Sequence, residues 1–178
     1  MNFRGLGATL FFSLLGFCWV ARGEGFFDDP GDVSGWKTFA ESDDWTIKYP
    51  HDWRVSTCRH CFGSTEPYAF VTFHDSSASE LIVIERLVDR PAGQTVDHWL
   101  NEVEEKTVSS PRVREDWMSL HGIRALKVRN RNADSGESEN IYILNGVKTF
   151  LLRASDIQNP KFYRQYQQMV ATFSFRSH

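Results

Sequence analysis

The sequence predicts an α+β fold, an antiparallel sheet with two helices packed on it. Three observations carry this expectation. Short segments rich in β-branched and aromatic residues recur along most of the chain. Only two segments, one in mid-chain and one near the end, have helical periodicity. Strands also follow strands directly, without the strict strand-helix alternation of a parallel sheet. A lipocalin-type barrel competes, and the two amphipathic helices count against it. The chain has 178 residues, 41% hydrophobic and 24% charged, enough for one core and short for two domains. Its 14% aromatic content excludes a disordered or collagen-like chain, because aromatics at that density are mostly buried.

The first 23 residues read as a secretory signal peptide. Arg4 precedes an uncharged run from Leu6 to Val20, which ends in the small-residue pattern Ala21-Arg22-Gly23. That run falls short of the roughly 20 apolar residues of a membrane span. Leu15-Gly16-Phe17-Cys18 has the outline of a lipoprotein box, but Phe17 stands where Gly or Ala belongs, so lipid anchoring through Cys18 is the lesser alternative. Cleavage removes Arg4 and Arg22 and no acid, which takes the formal charge from −3 to about −5. A negative balance argues against general nucleic-acid binding, which needs surplus Lys and Arg at the phosphates.

Residues 24–35 have linker composition and are expected to be a flexible leader, with a single domain over 36–178. Trp36 to Ala40 and Trp45 to Tyr49 alternate as a hairpin, and Pro50 stops the second strand. Trp53 to Ser56 resumes an extended path, and Tyr68 to Asp75 and Leu81 to Leu87 read as central strands. Val96, Trp99, Leu100, Val103 and Thr107 share one face of a helix that Thr95 can cap. Strands return at Val113 to Leu120 and Ile123 to Arg129, joined at His121-Gly122. Asn132 to Asn140 reads as a polar loop with no core residue. Asn145-Gly146 favours a tight hairpin between Ile141–Leu144 and Lys148–Ala154. Asn159 and Pro160 open the second helix, whose stripe is Phe162, Tyr166, Met169, Val170 and Phe173, and Phe173 to Phe175 leads out extended.

Cys58 and Cys61 form a C-x-x-C pair, which export makes a disulfide candidate. A metal site with His51, His60 or His74 is a second reading, although no further C-x-x-C or H-x-x-x-H completes a ligand set. A redox pair needs a helix start after the motif, and Phe62 to Pro67 gives none. Haem attachment needs His where Phe62 stands. Neither a nucleophile elbow, an H-E-x-x-H helix, a phosphate loop nor a dinucleotide fingerprint is present, so the expectation is a protein that is not an enzyme.

Lys127, Arg129 and Arg131 share parity on one strand, as do Arg112 and Arg114 on the strand before. Pairing of these strands would gather the five on one sheet face, a candidate docking face, with a solvated face balanced by Glu115 and Asp116 as the plainer alternative. Trp99 is core by period, and Trp36, Trp45, Trp53 and Trp117 are expected in the core as well, with the lining of a pocket as their alternative.

The run Trp45 to Val55 (WTIKYPHDWRV) resembles the opening of PsbP-like domains, a family named for an extrinsic subunit of photosystem II. The remaining marks come in that family's order: the mid-chain helix, Leu120-His121-Gly122 leading into Ala125, the Asn-Gly hairpin, and the terminal helix running into Ala171-Thr172-Phe173-Ser174-Phe175. The resemblance covers about residues 36–176. It implies an α/β/α sandwich around a central antiparallel sheet and, by analogy with members that act by docking, an exported accessory or binding domain with a protein partner in the cell envelope. It implies no shared active site and no cofactor. The cysteine loop after the Trp53 strand departs from the family pattern. A periplasmic redox or metal-binding protein using Cys58 and Cys61 is the alternative.

Overall fold

The computed structural model describes residues 30–41, 44–58, 70–76, 81–87, 89–107, 111–132 and 136–176. The signal-peptide expectation, Cys18, His60 and Cys61 lie outside the described residues. In chain order the elements are β1 (Lys37–Glu41), β2 (Trp45–Tyr49), β3 (Arg54–Cys58), β4 (Phe70–His74), β5 (Leu81–Arg86), α1 (Val96–Thr107), β6 (Arg112–Leu120), β7 (Ile123–Asn132), β8 (Gly136–Asn145), β9 (Lys148–Ala154), α2 (Pro160–Thr172) and β10 (Ser174–Phe175). A seven-stranded sheet runs β3-β4-β5-β9-β8-β7-β6, and a separate three-stranded sheet runs β1-β2-β10. Every pairing is antiparallel.

Alternation along the strands divides the large sheet into two apolar faces. Ile141 and Ile143 on β8 join Ile82, Ile84, Phe150 and Leu152 in the core under α2 and the small sheet. The intervening Tyr142, with Leu126, Val128 and Leu151, meets Trp99 and Leu100 of α1 on the opposite face. One helix therefore covers each face, which is why the central strands carry near-continuous apolar runs. The fold is the α+β arrangement expected, with one difference: β1, β2 and β10 form a small sheet of their own beside α2.

Aromatic rings join these layers. Trp45 of β2 is 1% exposed and stacks on Phe173 at 5.5 Å between centroids, with Phe39 at 5.5 Å and Phe150 at 6.5 Å. Trp53 stacks on Phe162 at 5.9 Å. The exit from α2 is tied to β2 by the Thr172 hydroxyl, which accepts from the Lys48 N–H at 2.9 Å, and by the Ser174–Thr46 hydroxyl pair at 2.9 Å. Trp36, Trp45, Trp53 and Trp99 join the core or its margin, as expected, whereas Trp117 is 44% exposed.

Caps and turns set the ends of the elements. The Asn159 side chain accepts from the Lys161 and Phe162 N–H groups, and Pro160 fills the first turn of α2. His121 and Gly122 both have positive φ, +49° and +80°, which a two-residue turn of the I′ kind requires. The turn places His121 Nε2 2.8 Å from the Ala171 carbonyl, to which it donates at the end of α2. At the β8–β9 turn only Gly146 has positive φ, +64°, so the Asn-Gly signal is used with Gly first, in the II′ manner.

Two expectations are corrected. Asn132 to Asn140 is no coreless loop: β7 and β8 continue their ladder to the Asn132–Gly136 pair, with Ser138, Glu139 and Asn140 buried. The expected flexible leader is docked in its second half, where Gln168 Nε2 donates to the Pro30 carbonyl at 3.0 Å and Val33 is buried. Among the described residues no helix is long and apolar enough to cross a membrane.

Trp45→Ala removes the ring that links the small sheet, α2 and β9. Urea unfolding is expected to show a loss of about 3–5 kcal/mol, whereas Val147→Ser, at an exposed turn, changes stability by under about 0.5 kcal/mol.

Candidate functional site

The β6–β7–β8 ladder positions the basic residues. Arg129 of β7 pairs with Glu139 of β8 and Arg131 with Glu137, and cross-strand partners point to the same face. Alternation puts Lys127, Arg129 and Arg131 on the α2 face with Ala125, a member of that core. On β6, Arg114 stands opposite Arg129 and Asp116 opposite Lys127. Four of the five expected cations therefore share one face.

Arg112 does not join them. The register shifts between Arg112 and Arg114, and the extra residue, Val113, turns Arg112 to the α1 face opposite Asn130. There it donates to Asn101 Oδ1 of α1 at 3.0 Å and pairs with Glu115. Equal parity on β6 would have kept it with Arg114, but a bulge breaks parity and leaves no mark in the composition.

The shared face is charge-alternating rather than basic. Arg114 Nε lies 2.8 Å from Asp116 Oδ2, Lys127 Nζ 4.0 Å from the same oxygen, and Arg131 Nη2 2.9 Å from Glu137 Oε1. Arg114 and Arg129 are like charges directly opposite one another, and each is held by a carboxylate of its own.

Arg129 is the fixed point of the row. Its Nε donates to Glu139 Oε2 at 3.0 Å, its Nη2 donates to the Tyr163 hydroxyl at 2.6 Å, and that hydroxyl donates to Glu139 Oε2 at 2.9 Å. The Glu139 side chain is 0% exposed and that of Arg129 31%. Among the described residues Glu139 Oε1 has no hydrogen-bond partner, and both bonds to the carboxylate go to Oε2. Burial, and then the Glu139 charge, push the Tyr163 hydroxyl up to about 12, against the lowering effect of Arg129. Tyr166, fully buried beside them, is raised well above its usual range, chiefly by burial.

The cysteine region separates its candidate ligands. Cys58 ends β3, His51 lies in the turn before β3, and His74 pairs with Arg54 at the far end of the ladder. Arg54 and Cys58 stand four residue steps apart on the strand, about 13 Å at the usual rise. Neither His51 nor His74 therefore shares a tetrahedral site with Cys58. Among the described residues no group of three or more His, Cys, Asp or Glu could hold a metal ion.

Glu139 and Tyr163 escaped sequence reading. Glu139 sits in a segment with loop composition, and Tyr163 lies beside, not on, the apolar stripe of α2. The one available signal was the reciprocal spacing of Arg129 and Arg131 with Glu139 and Glu137 about a short turn, which suits a charged hairpin ladder.

No family model and no curated protein sequence matches the chain. Among solved structures it is similar to the solution structure of cyanobacterial PsbP (CyanoP) from Synechocystis sp. PCC 6803. That likeness has a TM-score of 0.58 at 12% identity, over 81% of this chain and 94% of that one. It is also similar to PA94, a protein of unknown function from Pseudomonas aeruginosa, with a TM-score of 0.47 at 11% identity over 80% of this chain and 99% of that one. The similarity to CyanoP is one of fold: the chain has a PsbP-like fold.

Arg129→Met leaves the Glu139 charge buried and uncompensated, with an expected loss of about 3–5 kcal/mol in denaturant unfolding. Arg131→Met removes an exposed pair and costs under about 1 kcal/mol. Tyr163 also sets an alkaline limit. Because its folded-state value lies above the unfolded value near 10, its contribution is complete below pH 10 and is lost as pH rises toward 12. Tyr163→Phe is expected to flatten the fall in stability over that window without removing it, since Tyr166 contributes in the same direction. An unchanged slope in the variant contradicts the assignment.

Proposed function

We propose that this protein is an exported, non-enzymatic accessory domain that docks on a protein partner in the cell envelope through the α2 face of β6 and β7. Arg114, Lys127, Arg129 and Arg131, interleaved with Asp116 and Glu137, form the docking row. The observation that carries the reading is the immobilised Arg129 guanidinium. Its Nε and one Nη2 bond are fixed by Glu139 and Tyr163, and its side chain remains 31% exposed. A guanidinium held this way loses little freedom on meeting a partner carboxylate or carbonyl. Mixed charge on the row suits specificity and register more than bulk attraction.

Export rests on the leader pattern of residues 1–23, and in an oxidising compartment Cys58 bonds Cys61 as a loop clip. The PsbP-like fold supports an accessory role by analogy alone, because fold does not carry function.

The test is site-specific photocrosslinking in the native cell. A crosslinker in place of Arg131 is expected to give one discrete adduct with an envelope protein, and one in place of Val147 none. Equal labelling from both positions, or none from either, overturns the docking face. Intact mass of the exported protein is expected to show loss of residues 1–23 and no free thiol before reduction.

A further inference from the structure

Strand β6 closes one end of the seven-stranded sheet, and among the described residues it pairs only with β7. At nine residues it is long for an edge. It also carries two exposed apolar side chains, Val113 at 50% and Trp117 at 44%, with the Arg124 guanidinium 3.7 Å above the Trp117 ring. The two-residue turn at His121-Gly122 makes Leu120 and Ile123 a hydrogen-bonded pair. By alternation, the N–H and C=O groups of Ser119, Trp117 and Glu115 then point away from β7, toward an added strand.

We propose that β6 pairs antiparallel with β6 of a second copy of this chain, about a two-fold axis through Glu115, so that two seven-stranded sheets become one. The charge order along the strand selects this partner and this register. With the axis at Glu115, Arg114 of each copy stands opposite Asp116 of the other. Arg114 and Asp116 of one chain already share the α2 face at 2.8 Å, so the four side chains form a square of alternating charge. The same register sets Val113 beside Trp117 of the other copy and covers both exposed apolar groups. Glu115 meets its own counterpart at the axis, with each carboxylate already paired to Arg112 of its own chain. An axis through Asp116 or Arg114 instead sets Asp against Asp or Arg against Arg. An axis between residues turns the two sheets' apolar faces in opposite directions. Charged edges ordinarily discourage strand addition; here their order makes the edge complementary to itself. The inference stands apart from the docking proposal above and shares only Arg114 and Asp116 with it.

Sedimentation equilibrium of the exported chain tests it. The dimer fraction is expected to rise with protein concentration and to fall with added salt, which screens the charge square. Arg114→Asp and Asp116→Arg singly place like charges across the axis and lower the association constant about tenfold or more. The double variant R114D/D116R restores dimerisation, and Trp117→Lys weakens it without touching the square. Circular dichroism and thermal unfolding of each variant confirm an intact monomer fold. A wild-type chain that stays monomeric, a dimer that survives both single substitutions, or a double variant no better than the single ones overturns the proposal.

Discussion

A carboxylate with no exposure to water, Glu139, constrains the middle of this protein. An unpaired buried carboxylate costs several kcal/mol, so strand, hairpin and helix must all deliver partners to it. Register delivers Arg129 from β7, and α2 delivers the Tyr163 hydroxyl. A slip of one residue in the β7–β8 ladder would send Glu139 into the apolar layer under α1 and Ile141 to the wrong core. The ion cluster therefore specifies register as well as the seat of α2, and it leaves the outer side of Arg129 in a fixed position at the surface.

The apolar framework was largely legible in the sequence, and the polar centre was not. Helical stripes through Trp99 and Phe162, β-branched runs at Val71 and Ile82, and the Asn159-Pro160 start all report local periods or caps that tertiary contacts reinforced. Burial of Ser138, Glu139 and Asn140 could not be read from composition. Those residues are polar, and only their cross-strand partners make their burial tolerable. Parity placed Arg114, Lys127, Arg129 and Arg131 together but failed at Arg112, where one inserted residue reverses the face. Residue type favours the core for Trp117, yet it sits on an edge strand whose α1 face is only partly covered.

The fold explains how such a small chain presents two separate surfaces. α1 and α2 close opposite faces of the same sheet. The β6–β7 end is left with charged residues on one face and the Trp117–Arg124 stack on the other. The described histidines of the cysteine region lie at the opposite edge and away from Cys58.

The central claim is that Arg129 and Glu139 act as one compensated unit that ties the hairpin to α2. A double-mutant cycle between Arg129→Met and Glu139→Leu measures it directly. The account predicts that each single variant is strongly destabilised and that the double variant recovers most of the loss, because no uncompensated charge then remains in the core. Additive losses, with the double variant destabilised relative to the wild type by the sum of the two single losses, would contradict it.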